Sequence, residues 1–116
     1  MDIVETSVGG VPLLTIVGEA DHAVGPQLAQ AAQRAMSPGG PHILLNLELC
    51  PYLDSGALGV ILGLVQQLEP RGWVGVVHCS HMVLRLFDLV GLAPCESFRV
   101  FRSLDEARAS ATARRW

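Results

Sequence analysis

The run Ile43-Leu44-Leu45-Asn46-Leu47 constrains this chain more than any other stretch. It is apolar almost without alternation, so a strand built from it cannot turn either face to water. Such a strand needs a layer on each side, which is the arrangement of parallel and mixed α/β sheets. The chain has 116 residues, half of them hydrophobic and 16% charged. That is enough for one domain with a two-layer core, and the composition is that of a packed protein, not a disordered one.

The flanking pattern supplies the other elements. Ile3 to Ser7 and Pro12 to Gly18 are expected strands, joined by a tight Gly9-Gly10 turn. Val24, Leu28, Ala31, Ala32 and Ala35 recur at helical spacing, opposite Gln27, Gln30, Gln33 and Arg34. Asp21 can cap that helix, Pro26 fits its first turn, and Ser37-Pro38-Gly39-Gly40-Pro41 ends it. The central strand is expected from His42 to Leu49 and a helix from Leu58 to Leu68. A strand follows from Trp73 to Cys79, and Ser80 can cap a helix from Met82 to Leu89 with Gly91 closing it. Phe98-Arg99-Val100-Phe101 reads as a short strand, and Ser103 with Glu106 forms a capping box for the last helix. The order is β-β-α-β-α-β-α-β-α. It predicts a small mixed, mostly parallel sheet of about five strands with about four helices packed against it. The core is expected over residues 3–109 of a single domain, with 110–116 a frayed tail.

Charge and motifs exclude several classes of function. Eleven acidic residues against eight basic ones leave a net charge of −3, without the basic footprint of nucleic-acid or anionic-membrane binding. No apolar run reaches the about 20 residues of a membrane span. Met1-Asp2-Ile3-Val4-Glu5 lacks a signal-peptide pattern, so a cytoplasmic protein is expected. Cys50, Cys79 and Cys95 are odd in number, widely spaced and without CxxC, which favours reduced, mostly buried thiols. His78-Cys79-Ser80-His81 lacks a further ligand pair at metal spacing. Met36, Met82, Phe87, Phe98 and Phe101 are expected in the core or at its edge. Gly56, Gly59 and Gly63 are expected to let a helix approach the sheet, since neither GxGxxG nor GxxxxGK[ST] is present. No metal or cofactor is expected.

Asp54-Ser55 stands between the central strand and its helix. Either side chain can cap the helix, and a hydroxyl there is a cap, an anion site or a modification site. The loops after Gly18, Tyr52 and Cys79 should share one sheet edge, gathering Asp21, His22, Asp54, Ser55, Ser80 and His81. A nucleophilic role for Ser55 lacks the GxSxG elbow and a nominated base.

Four segments resemble the STAS domain, and within it the bacterial anti-sigma factor antagonists of the sporulation and general-stress type. They are Val17-Gly18-Glu19-Ala20-Asp21-His22, Leu45-Asn46-Leu47-Glu48, Asp54-Ser55 with Leu58-Gly59-Val60-Ile61-Leu62-Gly63, and Arg85-Leu86-Phe87-Asp88 with Gly91-Leu92. The resemblance runs from about Leu13 to Ala109 and agrees with the element order above. It implies a non-enzymatic partner-switching protein whose unmodified form binds an anti-sigma factor that is also a GHKL-type serine kinase, releasing the sigma factor. It places the phosphorylated hydroxyl on Ser55 and implies a PP2C-type phosphatase that restores the active form. Contacts are expected from Asp21, His22, Asp54, Ser55, Gly56, Leu58, Ser80 and His81. Two departures stand out. The family's Gly-Glu-Leu-Asp is Gly18-Glu19-Ala20-Asp21, and its commoner Asp-Ser-Ser-Gly-Leu is Asp54-Ser55-Gly56-Ala57-Leu58, which leaves Ser55 the sole acceptor of the motif. Free-standing STAS proteins also resemble small subunits of lipid-transporting ABC systems, where the domain is a structural contact and no kinase acts, and a third reading is a scaffold component of a large stress-sensing assembly.

Overall fold

Five strands in the order β1-β2-β3-β4-β5 form one sheet, each beside its neighbour in sequence. The computed structural model describes residues 2–18, 24–36, 42–69, 71–92 and 95–112. The strands are β1 (Asp2–Val8), β2 (Val11–Val17), β3 (His42–Asn46), β4 (Trp73–Val77) and β5 (Phe98–Phe101). The helices are α1 (Val24–Met36), α2 (Ser55–Leu68), α3 (His81–Leu89) and α4 (Leu104–Thr112). The expected mixed, mostly parallel sheet is present. β1 pairs antiparallel with β2, and β2 through β5 are parallel.

The local chemistry explains most of these elements. Val8 pairs with Val11, leaving Gly9 and Gly10 as a two-residue turn with φ of 57° and 84°. That is the left-handed pair a twist-matched hairpin requires. Gly91, at φ 84°, ends α3. The amides of Gly91 and Leu92 reach back to the carbonyls of Asp88 and Phe87, closing the helix as a Schellman motif. Ser103 Oγ accepts the amide of Glu106, whose carboxylate reaches back to the amide of Arg102. The expected box is therefore made, with its return bond one residue earlier than usual. α4 continues to Thr112, beyond the expected start of the tail.

Successive right-handed crossovers that each step one strand the same way put their helices on the same face. Leu14, Ile16, Ile43, Leu45, Val74, Val76 and Phe98 accordingly meet Leu28 and Ala32 of α1, Ile61 and Leu64 of α2, and Val83 and Phe87 of α3. The opposite face carries Leu13, Leu44, Trp73, Val77 and Phe101, covered by Ala107 of α4. β3 is thus buried on both sides, as its composition demands. β3 and β4 end earlier than expected. β3 stops at Asn46, whose Oδ1 accepts the Glu48 amide and turns the chain. β4 stops at Val77 because His78 takes φ 60°, a left-handed conformation that breaks strand geometry.

The expected helix–sheet role of the α2 glycines is corrected. A Cβ at Gly59 or Gly63 would meet nothing within 4 Å, and both are exposed. The close approach is between helices instead: a Cβ on Gly25 of α1 would lie 3.4 Å from the carbonyl of Gly56.

At the opposite edge from Ser55, His42 stacks on Trp73 with ring centroids 4.3 Å apart, and its Nδ1 accepts the Trp73 amide at 3.2 Å. The Arg99 guanidinium lies over the same indole, 5.9 Å from its centroid. Burial, and secondarily the Arg99 charge, hold the His42 pKa below its usual 6.5. A protonated Nδ1 cannot accept the amide, so the folded state binds this proton less readily than the unfolded chain. The stabilising contribution is complete above the unfolded value of about 6.5 and is lost as pH falls through the lower folded value. The urea midpoint is therefore expected to fall on acidification from about pH 8 to about pH 5, and less steeply in His42→Phe, which keeps a ring but cannot titrate. Equal pH slopes in the two proteins would show that His42 does not couple to folding.

Candidate functional site

Parallel strands bring their C-terminal ends to one edge, and backbone bonds lace the loops there. The Gly18 amide donates to the Leu49 carbonyl at 2.9 Å, and the Leu47 amide to the Val77 carbonyl at 3.0 Å. Ser80 Oγ donates to the Pro51 carbonyl at 3.3 Å and accepts the Val83 amide at 3.2 Å. One hydroxyl thus caps α3 and ties it to the loop before α2.

Asp54 is the N-cap of α2, in extended conformation, with Oδ1 accepting the Ala57 amide at 2.9 Å. That resolves the choice between Asp54 and Ser55 as cap. It also moves the start of α2 three residues ahead of the expected Leu58, because the first turn holds Gly56 and Ala57, which carry no amphipathic mark. Ser55 becomes the first helical residue, exposed to solvent. By helix geometry the amides of Ser55 and Gly56 have no carbonyl one turn before them, and the helix dipole adds partial positive charge. The adjacent Asp54 carboxylate supplies the opposing negative charge.

The expected site residues divide by position. Asp54, Ser55, Gly56, Ser80 and His81 lie on this edge, with Ser55, Gly56 and His81 exposed. Asp21 and His22 fall outside the described residues. Leu58 is 8% exposed and its side chain belongs to the core. Met82, expected at the core or its edge, is instead 58% exposed at the second position of α3. Leu49, expected as the last residue of the covered central strand, and Tyr52, which carried no site expectation, are 56% and 45% exposed on the loop before α2. No run of alternation marks such loop residues, so only the fold reveals them.

Beneath the loops, Cys50 is buried and Cys79 half-buried. Burial, with the Cys50 thiol second, pushes the Cys79 pKa up to about 12. Cys79 is therefore a protonated, unreactive thiol near neutral pH. Among the described residues no group of three His, Cys, Asp or Glu could hold a metal ion. No helix among them is long and apolar enough to cross a membrane.

An open α/β sheet with an exposed, capped helix start on a tightly laced edge defines a small domain built to present one surface. The chain belongs to the STAS domain family, whose model matches residues 3–107. It is 35% identical over 88 residues to the anti-sigma F factor antagonist of Paenibacillus polymyxa, covering 72% of this chain and 73% of that protein. Its fold is similar to the anti-sigma factor antagonist SpoIIAA in its unphosphorylated form, with TM-score 0.76 and 19% identity over 97% of this chain and 100% of the other. The phosphorylated form of the Bacillus cell fate determinant SpoIIAA is similar as well, with TM-score 0.72 and 22% identity over 95% and 99% of the two chains.

Proposed function

We propose that this chain is an anti-sigma factor antagonist that acts by binding, in the cytoplasm, with no catalytic step of its own. Unphosphorylated, it binds an anti-sigma factor that is also a GHKL-type serine kinase, and the sigma factor is released. Phosphorylation at Ser55 blocks that contact, and a PP2C-type phosphatase reverses it. The observation that carries the reading is Ser55 itself, exposed as the first residue of a helix already capped by its neighbour. Its hydroxyl is not needed to cap α2, so a kinase can modify it without dismantling the helix. The names of the curated relatives support the same reading.

The test is phosphate transfer from labelled ATP by each GHKL-type kinase of the source organism. Wild type is expected to take up label and Ser55→Ala to take up none, while both bind the same kinase before ATP is added. Equal labelling of both proteins would move the acceptor elsewhere. Failure of every such kinase to bind or label the wild type would end the reading.

A further inference from the structure

Three of the seven exposed large hydrophobic residues among the described residues, Leu49, Tyr52 and Met82, share the edge that carries Ser55. We propose that these three side chains form an apolar docking rim for the kinase-type partner, which meets it with an apolar pocket and a carboxylate opposite Arg85. The rim has this role only if the Ser55 edge is the partner-binding one, as proposed above.

The backbone under each side chain is fixed. Leu49 holds the Gly18 amide through its carbonyl, and the Tyr52 carbonyl accepts the Cys50 thiol at 3.3 Å. Met82 sits in the first turn of α3, behind the Ser80 cap that reaches Pro51. The Ser80–Pro51 bond brings the segments bearing Tyr52 and Met82 side by side. Little ordering cost remains for a partner to meet, and aromatic and Met side chains are the types enriched at interface centres. Arg85 is exposed three residues after Met82, hence beside it on the helix surface, and Asp88 is exposed a further turn toward the C-terminus. A partner carboxylate complements Arg85 beside Met82, and a partner cation there is repelled. A phosphate on Ser55 then arrives beside an apolar contact, where stripping its water is most costly.

The test uses the full chain and the kinase that labels Ser55 in the assay above, with affinity measured by calorimetry before ATP is added. Met82→Asp and Tyr52→Ala are expected to weaken binding about tenfold or more each. Arg85→Glu is expected to weaken it in a salt-dependent way. Leu89→Asp, at the far end of α3 and 79% exposed, serves as the control and should leave affinity unchanged. An acidic residue suits the first turn of a helix, so Met82→Asp should fold. Should its melting temperature drop, Met82→Ala, which only shortens an exposed side chain, gives the same comparison. Unchanged affinity in the Met82 and Tyr52 variants, with Ser55 still labelled, overturns the rim and leaves the partner reading standing. A wild type that binds no kinase removes both. A wild-type dimer in sedimentation equilibrium that Met82→Asp makes monomeric assigns the rim to a second copy and overturns the proposal.

Discussion

Ser55→Glu is expected to lower affinity for the partner kinase by more than about a hundredfold, the equivalent of about 3 kcal/mol. Its melting temperature should stay close to that of wild type. The two halves of this expectation come from the same geometry. At the first position of α2 a negative charge faces the unpaired amides of the first turn and the positive end of the helix dipole, which favours the fold slightly. The Asp54 cap already satisfies Ala57, so the substitution removes no capping bond. At the partner's surface the same charge must be desolvated and adds to that of Asp54, so binding alone suffers. Under the proposed function the switch is expected to work by blocking, with little backbone movement. Amide chemical shifts in phosphorylated and unmodified protein should differ at the Ser55 edge and agree elsewhere. Changes spreading into α4, on the opposite face of the sheet, would contradict blocking and point to a refolded domain. Unchanged affinity in Ser55→Glu would remove electrostatic repulsion as the mechanism.

The elements were legible where local chemistry leaves one solution. Gly9-Gly10 between apolar runs, Ser103 with Glu106, Gly91 after a helical stripe, and a run as apolar as Ile43 to Leu47 each specify their own geometry. The edge that gathers Asp54, Ser55 and Ser80 followed from topology, since parallel strands must deliver their following loops to one side. What stayed hidden were consequences of tertiary placement. Met82 has the composition of a core residue, but the Ser80 cap fixes the phase of α3, and that phase turns residue 82 outward while Val83 and Phe87 turn inward. Gly59 and Gly63 lie on the outer side of α2, a fact that spacing alone cannot supply because glycine carries no hydrophobic signal. His78 ends β4 through a backbone angle that many residue types could have avoided.

The largest expected effect on stability lies at Gly75, far from any partner. Gly75 sits in the middle of β4, paired with Leu44 on one side and Arg99 on the other. A methyl there would lie 2.5 Å from Phe101 Cε2, 2.8 Å from Trp73 Cζ3 and 2.9 Å from Leu44 Cδ2. None of the three can retreat cheaply. Trp73 is pinned between the His42 stack and the edge of Phe101, and Leu44 is fully buried. Gly75→Ala is therefore expected to cost about 2–3 kcal/mol through overpacking, out of the about 5–15 kcal/mol that holds a domain of this size. The gain from replacing a flexible glycine, about 0.5–1 kcal/mol, offsets only part of that. Gly59→Ala and Gly63→Ala isolate the offset, because a methyl at either position meets nothing, and each should stabilise by about that gain. Urea midpoints and the near-ultraviolet dichroism of Trp73 report both effects. Phe101→Leu removes the ring that supplies the nearest atom, so the double variant Gly75→Ala/Phe101→Leu should be more stable than the sum of the single losses, by about 1 kcal/mol. Strict additivity would show that the clash is relieved by backbone movement in β4 and not by the aromatic cluster. The same movement would reach Val77 and the loop behind it, so a Gly75 variant that folds additively should also weaken partner binding at the Ser55 edge.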